Sequence, residues 1–266
     1  MRVTPRAVLL LALLALLAPP LFPEGNDAPS WLRSEPRARA YEPVRLEILR
    51  IFDDAQKAGV PTGPLEDKLK EGVSKRVPAD VLITGLRAEL DRLSLAGSLL
   101  AGRGSAFDPG KREAALRTIS LLLASGASPQ LIGSLLDTGS SAARDPSDTV
   151  EALGVLAQVK LSIRLPDTLV LTLGDALLKS RMPQAAFGSI PPLLMQARAN
   201  GMNSEELISM IVGVLQSGGG LIQVQDRLRD LASGNQAGKA RGEPGAGSAP
   251  AGVSGGMPHP PVRRKM

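Results

Sequence analysis

The chain has 266 residues, a formal net charge of +5 and 43% hydrophobic residues, enough for one ordinary buried core. It contains no cysteine and a single histidine, His259. Those two facts exclude a disulfide scaffold, a lipid anchor on an N-terminal Cys, c-type haem, an iron–sulfur cluster, a Cys-based zinc site, a Ser-His-Asp triad and a His-built metal cluster.

The first thirty residues read as a targeting segment. Arg2 and Arg6 precede an unbroken apolar run of 12 residues, Ala7 to Ala18, which Pro19 and Pro20 stop. A basic start, a short apolar stretch and a small-residue exit are the parts of a secretory signal. A membrane-spanning helix needs about 20 apolar residues, so a cleaved signal over 1–30 is expected rather than an anchor. The expected cut is at Ala28-Pro29-Ser30. Export to the periplasm or beyond follows, with an uncleaved inner-membrane anchor as the alternative.

Residues 31–43 form a basic, Pro-interrupted lead-in. Arg33, Arg37 and Arg39 lie between Trp31 and Tyr41. From 44 to 233 the pattern is helical. Val44, Ile48, Ile51, Phe52 and Ala55 follow the spacing of one helix face. Leu65, Leu69 and Val73 repeat it, with Glu66–Lys70 and Glu71–Lys75 as favourable i, i+4 pairs. Leu82, Leu86, Leu90 and Leu93 make a third stripe, and Leu116, Ile119, Leu122 and Leu123 a fourth. Leu131, Ile132, Leu135 and Leu136 mark a short fifth. Residues 148–163 and 167–180 are apolar on most sides, which places them centrally. Pro191 and Pro192 start a helix over 190–199. Leu207, Ile208, Ile211, Val212 and Leu215 form another, and Leu221, Val224, Leu228 and Leu231 close the series. The stretch 95–110 breaks the register and reads as a loop, and LVLTL at 169–173 is ambiguous between strand and helix.

Proline punctuates the series. Pro61 to Pro78, Pro129 to Pro146 and Pro166 to Pro183 are each 17 residues apart, and Pro129, Pro166 and Asn203 are 37 apart. Asp108, Ser128 and Asp145 each stand before a proline as N-caps, and Asn203 to Glu206 reads as a capping box. Gly59, Gly126 and Gly201 lie where a helix ends in a left-handed residue. The expected fold is all-α: antiparallel helix pairs, either stacked as solenoid-like repeats with a period near 37 or gathered in an irregular bundle.

From Gly234 the composition changes. Residues 234–266 hold eight Gly and five Pro with few large apolar side chains, so a disordered segment is expected. It carries Lys239, Arg241, Arg263, Arg264 and Lys265 against Glu243, most of the net charge. The remainder is close to neutral, which argues against a nucleic-acid-binding face.

Little in the folded part carries chemistry. The six aromatics are Trp31, Tyr41 and the phenylalanines at 22, 52, 107 and 187, too few for a sugar cleft, a haem pocket or a single-strand nucleic-acid platform. Asp53-Asp54, Glu66-Asp67 and Glu205-Glu206 are neighbours about 100° apart on a helix and do not converge on a substrate. Gly218-Gly219-Gly220 lacks the Lys-Ser/Thr of a phosphate loop and reads as a helix break. No catalytic, cofactor or metal residue is expected. The candidate contact residues are Trp31, Arg33, Arg37, Arg39 and Tyr41, with Arg263, Arg264 and Lys265, whose cations could touch anionic envelope components.

One stretch carries a resemblance. In 59–90, a Gly-x-Pro helix start (Gly59, Pro61) leads to a Lys-Glu-Gly-x-x-Lys helix end (Lys70, Glu71, Gly72, Lys75) and a second start at Pro78. This resembles uncharacterised exported bacterial helical proteins with such helix pairs. Later pairs depart from it, since Gly139 has no Lys-Glu before it. The resemblance implies an exported helical protein and no activity. The functional expectation is a non-enzymatic envelope scaffold that binds a protein or peptide. The alternative is a small-ligand or lipid carrier with a cavity lined by 148–180, and an enzyme working through carboxylates, Ser or Lys stands third.

Overall fold

A computed structural model describes residues 28–101 and 109–240. Among them every regular element is a helix: α1 (Ala28–Ser34), α2 (Arg45–Lys57), α3 (Gly63–Ser74), α4 (Ala79–Leu100), α5 (Pro109–Ala124), α6 (Pro129–Ser141), α7 (Pro146–Ile163), α8 (Asp167–Lys179), α9 (Ile190–Ala199), α10 (Ser204–Gln216) and α11 (Leu221–Ala240), with 3-10 segments at Pro36–Val44 and Gln184–Ser189. The ambiguous LVLTL lies inside α8, where Val170 and Leu173 are fully buried.

The capping chemistry sets the starts. Ser128 accepts from the Leu131 N–H at 3.3 Å, Asp145 from Ser147 at 2.7 Å and Asn203 from Glu205 at 2.8 Å. Pro129 and Pro146 occupy the first turn, where a missing N–H costs nothing. Pro78, Pro166 and Pro183 instead stand one residue before their helices. The i, i+4 pairs Glu66–Lys70 (3.6 Å) and Glu71–Lys75 both form.

From α4 onward the helices lie in two rows. α6 packs on α4 and α8, and α8 on α10; α7 packs on α5 and α9, and α9 on α11. Crossings of α4 with α5, α6 with α7, α7 with α8 and α10 with α11 join the rows. The 37-residue spacing thus marks every second helix, the members α6, α8 and α10 of one row. At the other end α1, the first 3-10 segment, α2 and α3 gather against one another and against α4. One continuous apolar cluster runs from Leu32 to Leu228. Burying each leucine of that kind contributes about 1.5–3 kcal/mol.

Two turns repeat one device. Gly72 in α3 lies against Leu82 of α4, and a Cβ there would sit 2.5 Å from Leu82 Cδ1. Gly139 in α6 lies against Thr149 of α7, and a Cβ there would sit 2.4 Å from Thr149 Oγ1. Each helix then ends in a left-handed residue that is not glycine, Arg76 (φ 54°) or Ala143 (φ 51°). The next N–H closes the motif: Val77 donates to Gly72 O at 2.9 Å and Arg144 to Gly139 O at 3.0 Å. Gly59, Gly126 and Gly201 take the expected left-handed φ at their own helix ends.

Three boundaries differ from expectation. The lead-in is folded: Leu32, Ala38 and Tyr41 are buried. In a 3-10 helix residues three apart share a face, so Ala38 and Tyr41 meet the core together although no 3.6 periodicity marks them. Of the expected loop 95–110, residues 95–100 belong to α4 and 109–110 to α5, and 102–108, Asp108 among them, lie outside the described residues. At the far end α11 continues through Gly234 to Ala240, because extending a started helix costs far less than nucleating one. Residues 1–27 and 241–266, most of the targeting segment expected over 1–30 and most of the Gly/Pro-rich stretch, lie outside the described residues, while Ala28, Pro29 and Ser30 belong to α1.

Candidate functional site

A broad concavity lies where the rows end, between α10 and α11. α10 begins with Glu205 and Glu206 in its first turn, where the positive end of the helix dipole favours carboxylates. Leu207, Ile208, Ile211, Val212 and Leu215 face the core. Ser209, Met210, Gly213, Val214 and Ser217 lie on another side and line a groove of about 980 Å³, whose far wall is Arg227, Asp230 and Leu231 of α11. Its apolar lining is Met210, Val214 and Leu231, and its charged lining is Glu205, Glu206 and Asp230 with Arg227.

The α10–α11 turn sets this geometry. Gly218 has φ +80°, and Gly219 N–H donates to Val214 O at 2.9 Å. A Cβ on Gly219 would sit 2.9 Å from that backbone oxygen, so no larger residue fits without moving the turn. Gln223 Oε1 then accepts from Gly220 N–H at 2.9 Å and caps the new helix. α11 meets the core through Val224 and Leu228, leaving Arg227, Asp230 and Leu231 exposed. Among the described residues Glu205, Glu206, Arg227 and Asp230 make no ion pair with one another or with any neighbour.

Charged groups elsewhere hold helices together. Lys160 of α7 is 8% exposed. Its Nζ donates to Leu165 O at 2.9 Å and Asp167 Oδ1 at 2.7 Å, and Asp167 Oδ2 accepts from Ser128 N–H at 3.0 Å. Burial pushes the Asp167 carboxyl up, but the hydrogen bonds from Lys160 and Ser128 outweigh it and hold the group below its ordinary value. Glu89 shows the same balance, with burial opposed by hydrogen bonds from Ser120 and Arg92 and the charge of Lys68, for a net lowering. Arg144 donates through Nε to Leu178 O at 2.9 Å and through Nη2 to Ser180 O, closing the open end of α8. Its guanidinium lies 5.8 Å from the Phe187 ring centroid. Among the described residues no group of three or more His, Asp or Glu could hold a metal ion.

The contact residues expected from the sequence fall apart in space. Trp31 is half-buried against the core, and Arg33, Arg37 and Arg39 are exposed. Tyr41 is not a surface contact: it is 4% exposed, and its hydroxyl donates to Val77 O at 2.6 Å, closing the C-terminal end of α3. Arg37 and Tyr41 share a smaller depression with Arg76. Arg263, Arg264 and Lys265 lie outside the described residues. The cavity expected between 148 and 180 is filled by side chains: Ala152, Leu153, Leu156, Leu173 and Leu177 are all 0% exposed. The α10–α11 groove went unseen because Met210, Gly213 and Val214 read as the flank of an ordinary amphipathic helix. The one signal was the unpaired Glu205-Glu206 beside them. Comparisons with protein-family models, with curated proteins and with solved structures return no match.

Proposed function

We propose that the chain is an exported, non-enzymatic helical scaffold whose α10–α11 groove receives an extended segment of a protein or peptide partner. The observation that supports it most is an apolar lining bordered by three carboxylates against one arginine, none of them in an ion pair among the described residues. Solvent-exposed grooves of this kind, apolar in the middle and charged at the rim, suit a peptide's side chains better than a whole domain. Export rests on residues 1–30, and no helix among the described residues is long and apolar enough to cross a membrane. The composition, without Cys and with one His, favours binding over catalysis.

Gly213 provides the test. A Cβ there meets nothing within 4 Å, so Gly213→Arg fills the groove without disturbing the core. An arginine is about 1 kcal/mol better than glycine inside a helix, so thermal stability should hold or rise. Native mass spectrometry of the chain recovered from its host's envelope should show a stoichiometric polypeptide on the parent and none on Gly213→Arg. A bound lipid or small molecule on both would favour the carrier reading, and a polypeptide retained by both would remove the groove from the account.

A further inference from the structure

The groove has a candidate occupant within the same chain. Residues 261–266 read Pro-Val-Arg-Arg-Lys-Met: three consecutive cations flanked by two apolar side chains. The groove offers the complement, three carboxylates beside Met210, Val214 and Leu231. We propose that Arg263–Lys265 dock on Glu205, Glu206 and Asp230 in cis, with Val262 and Met266 on the apolar lining, so that the chain masks its own peptide site until a partner displaces the segment. This rests on the groove being a peptide site and adds its charge preference and its regulation.

Reach and energetics both allow it. Leu231 lines the groove, and Ala240 lies nine residues further along α11, about 14 Å. Arg263 follows Ala240 by 23 residues, which extend to at most about 76 Å, several times the distance to be covered. Each exposed ion pair is weak on its own. Attachment to the same molecule raises the local concentration to the order of millimolar, so an intrinsic dissociation constant of about 1 mM gives half occupancy. An occupant held this loosely can be displaced by a partner that binds only moderately better. Arg227 in the far wall opposes the cations and orients them toward the α10 end, where Glu205 and Glu206 lie.

The absence of cysteine makes the test clean, because one introduced thiol is unique. A nitroxide on Pro260→Cys in the full chain, with methyl-labelled methionine, reports where the segment goes. The Met210 methyl should lose more than half its signal, as half occupancy requires, while Met195, on α9 and not among the groove residues, keeps its own. Arg263→Glu/Arg264→Glu/Lys265→Glu changes no described residue and should restore Met210. Adding Glu205→Lys/Glu206→Lys to that variant should broaden Met210 again, since the charges are exchanged. Met210 broadened no more than Met195, or equally in the triple variant, would overturn the proposal. So would broadening found only when spin-labelled chain is mixed with separate methyl-labelled chain, which would assign the groove to a second copy. Loss of cis docking with a partner still displaced by Gly213→Arg would sink the masking and leave the scaffold. Docking in a chain with no partner would do the reverse.

Discussion

The middle of the two rows and their α10–α11 end treat polar groups in opposite ways. Around α6–α8 every charge near the interior is answered: Lys160 by Leu165 O and Asp167, Asp167 also by Ser128 N–H, Arg144 by the last carbonyls of α8, and Asp175 by Thr138 Oγ1 at 2.7 Å. At α10–α11 Glu205, Glu206 and Asp230 border an open apolar groove that Arg227 also lines, yet they make no ion pair among the described residues. The difference teaches where to look for function in an all-α protein without catalytic residue types. Polar groups that close a helix end or span two helices are part of the packing. Those that border apolar surface and answer to nothing are available to a ligand.

Deleting a side chain in the middle should cost most. Phe187 is fully buried beneath Arg144, and Phe187→Ala is expected to lower stability by about 3–5 kcal/mol. Leu231→Ala, at a site 43% exposed on the groove wall, should cost less than about 1 kcal/mol. Urea unfolding with an unchanged slope separates the two, and equal losses would erase the contrast between middle and end.

Lys160→Met tests whether the buried cation is structural. It leaves the Leu165 carbonyl unpaired and the Asp167 carboxylate with Ser128 alone, at a cost of about 2 kcal/mol. Lys160→Met/Asp167→Asn should recover part of that loss, because no unpaired charge remains. A double variant that loses as much as the two singles added together would mean that the two groups do not act on each other.

The same carboxylate sets an acid dependence. Asp167 is held below its unfolded value of about 3.9, so the stability it contributes is present in full above that pH and is lost as pH falls through the lower folded value. Stability measured from neutral to acidic pH should fall less steeply in Asp167→Asn than in the parent. Glu89, also lowered, should leave a residual slope. An unchanged slope in Asp167→Asn would show that the hydrogen bonds from Lys160 and Ser128 do not persist in solution.

The smallest effect is a gain. Ala143 holds φ 51° without being glycine. Ala143→Gly should stabilise by about 0.5 kcal/mol, since the left-handed region costs glycine nothing. Chemical denaturation resolves a shift of that size, and a loss instead would mean that the Ala143 methyl packs.

Much of the local structure was legible in the residues themselves. Ser128, Asp145 and Asn203 cap the helices they were expected to cap, because a cap depends on two or three neighbouring residues and no more. The burial of Tyr41 was not legible: its hydrogen-bond partner, Val77, is 36 residues away, and the 3-10 segment that carries it follows a period of three. The helical extent of α11 past Gly234 was hidden by composition, which reports propensity and not the anchoring of the preceding turns by Val224 and Leu228.

The sequence by itself determined the all-α class, the places where most helices start and the 37-residue beat of α6, α8 and α10, since capping, proline geometry and hydrophobic periodicity act within a turn or two. The tertiary structure alone decided that this beat is one row of two, that the apolar helices α7 and α8 form a solid middle and not a cavity, and that α10 and α11 part to leave a groove. Those outcomes turn on which helix covers which apolar stripe, and residues distant in the chain decide that.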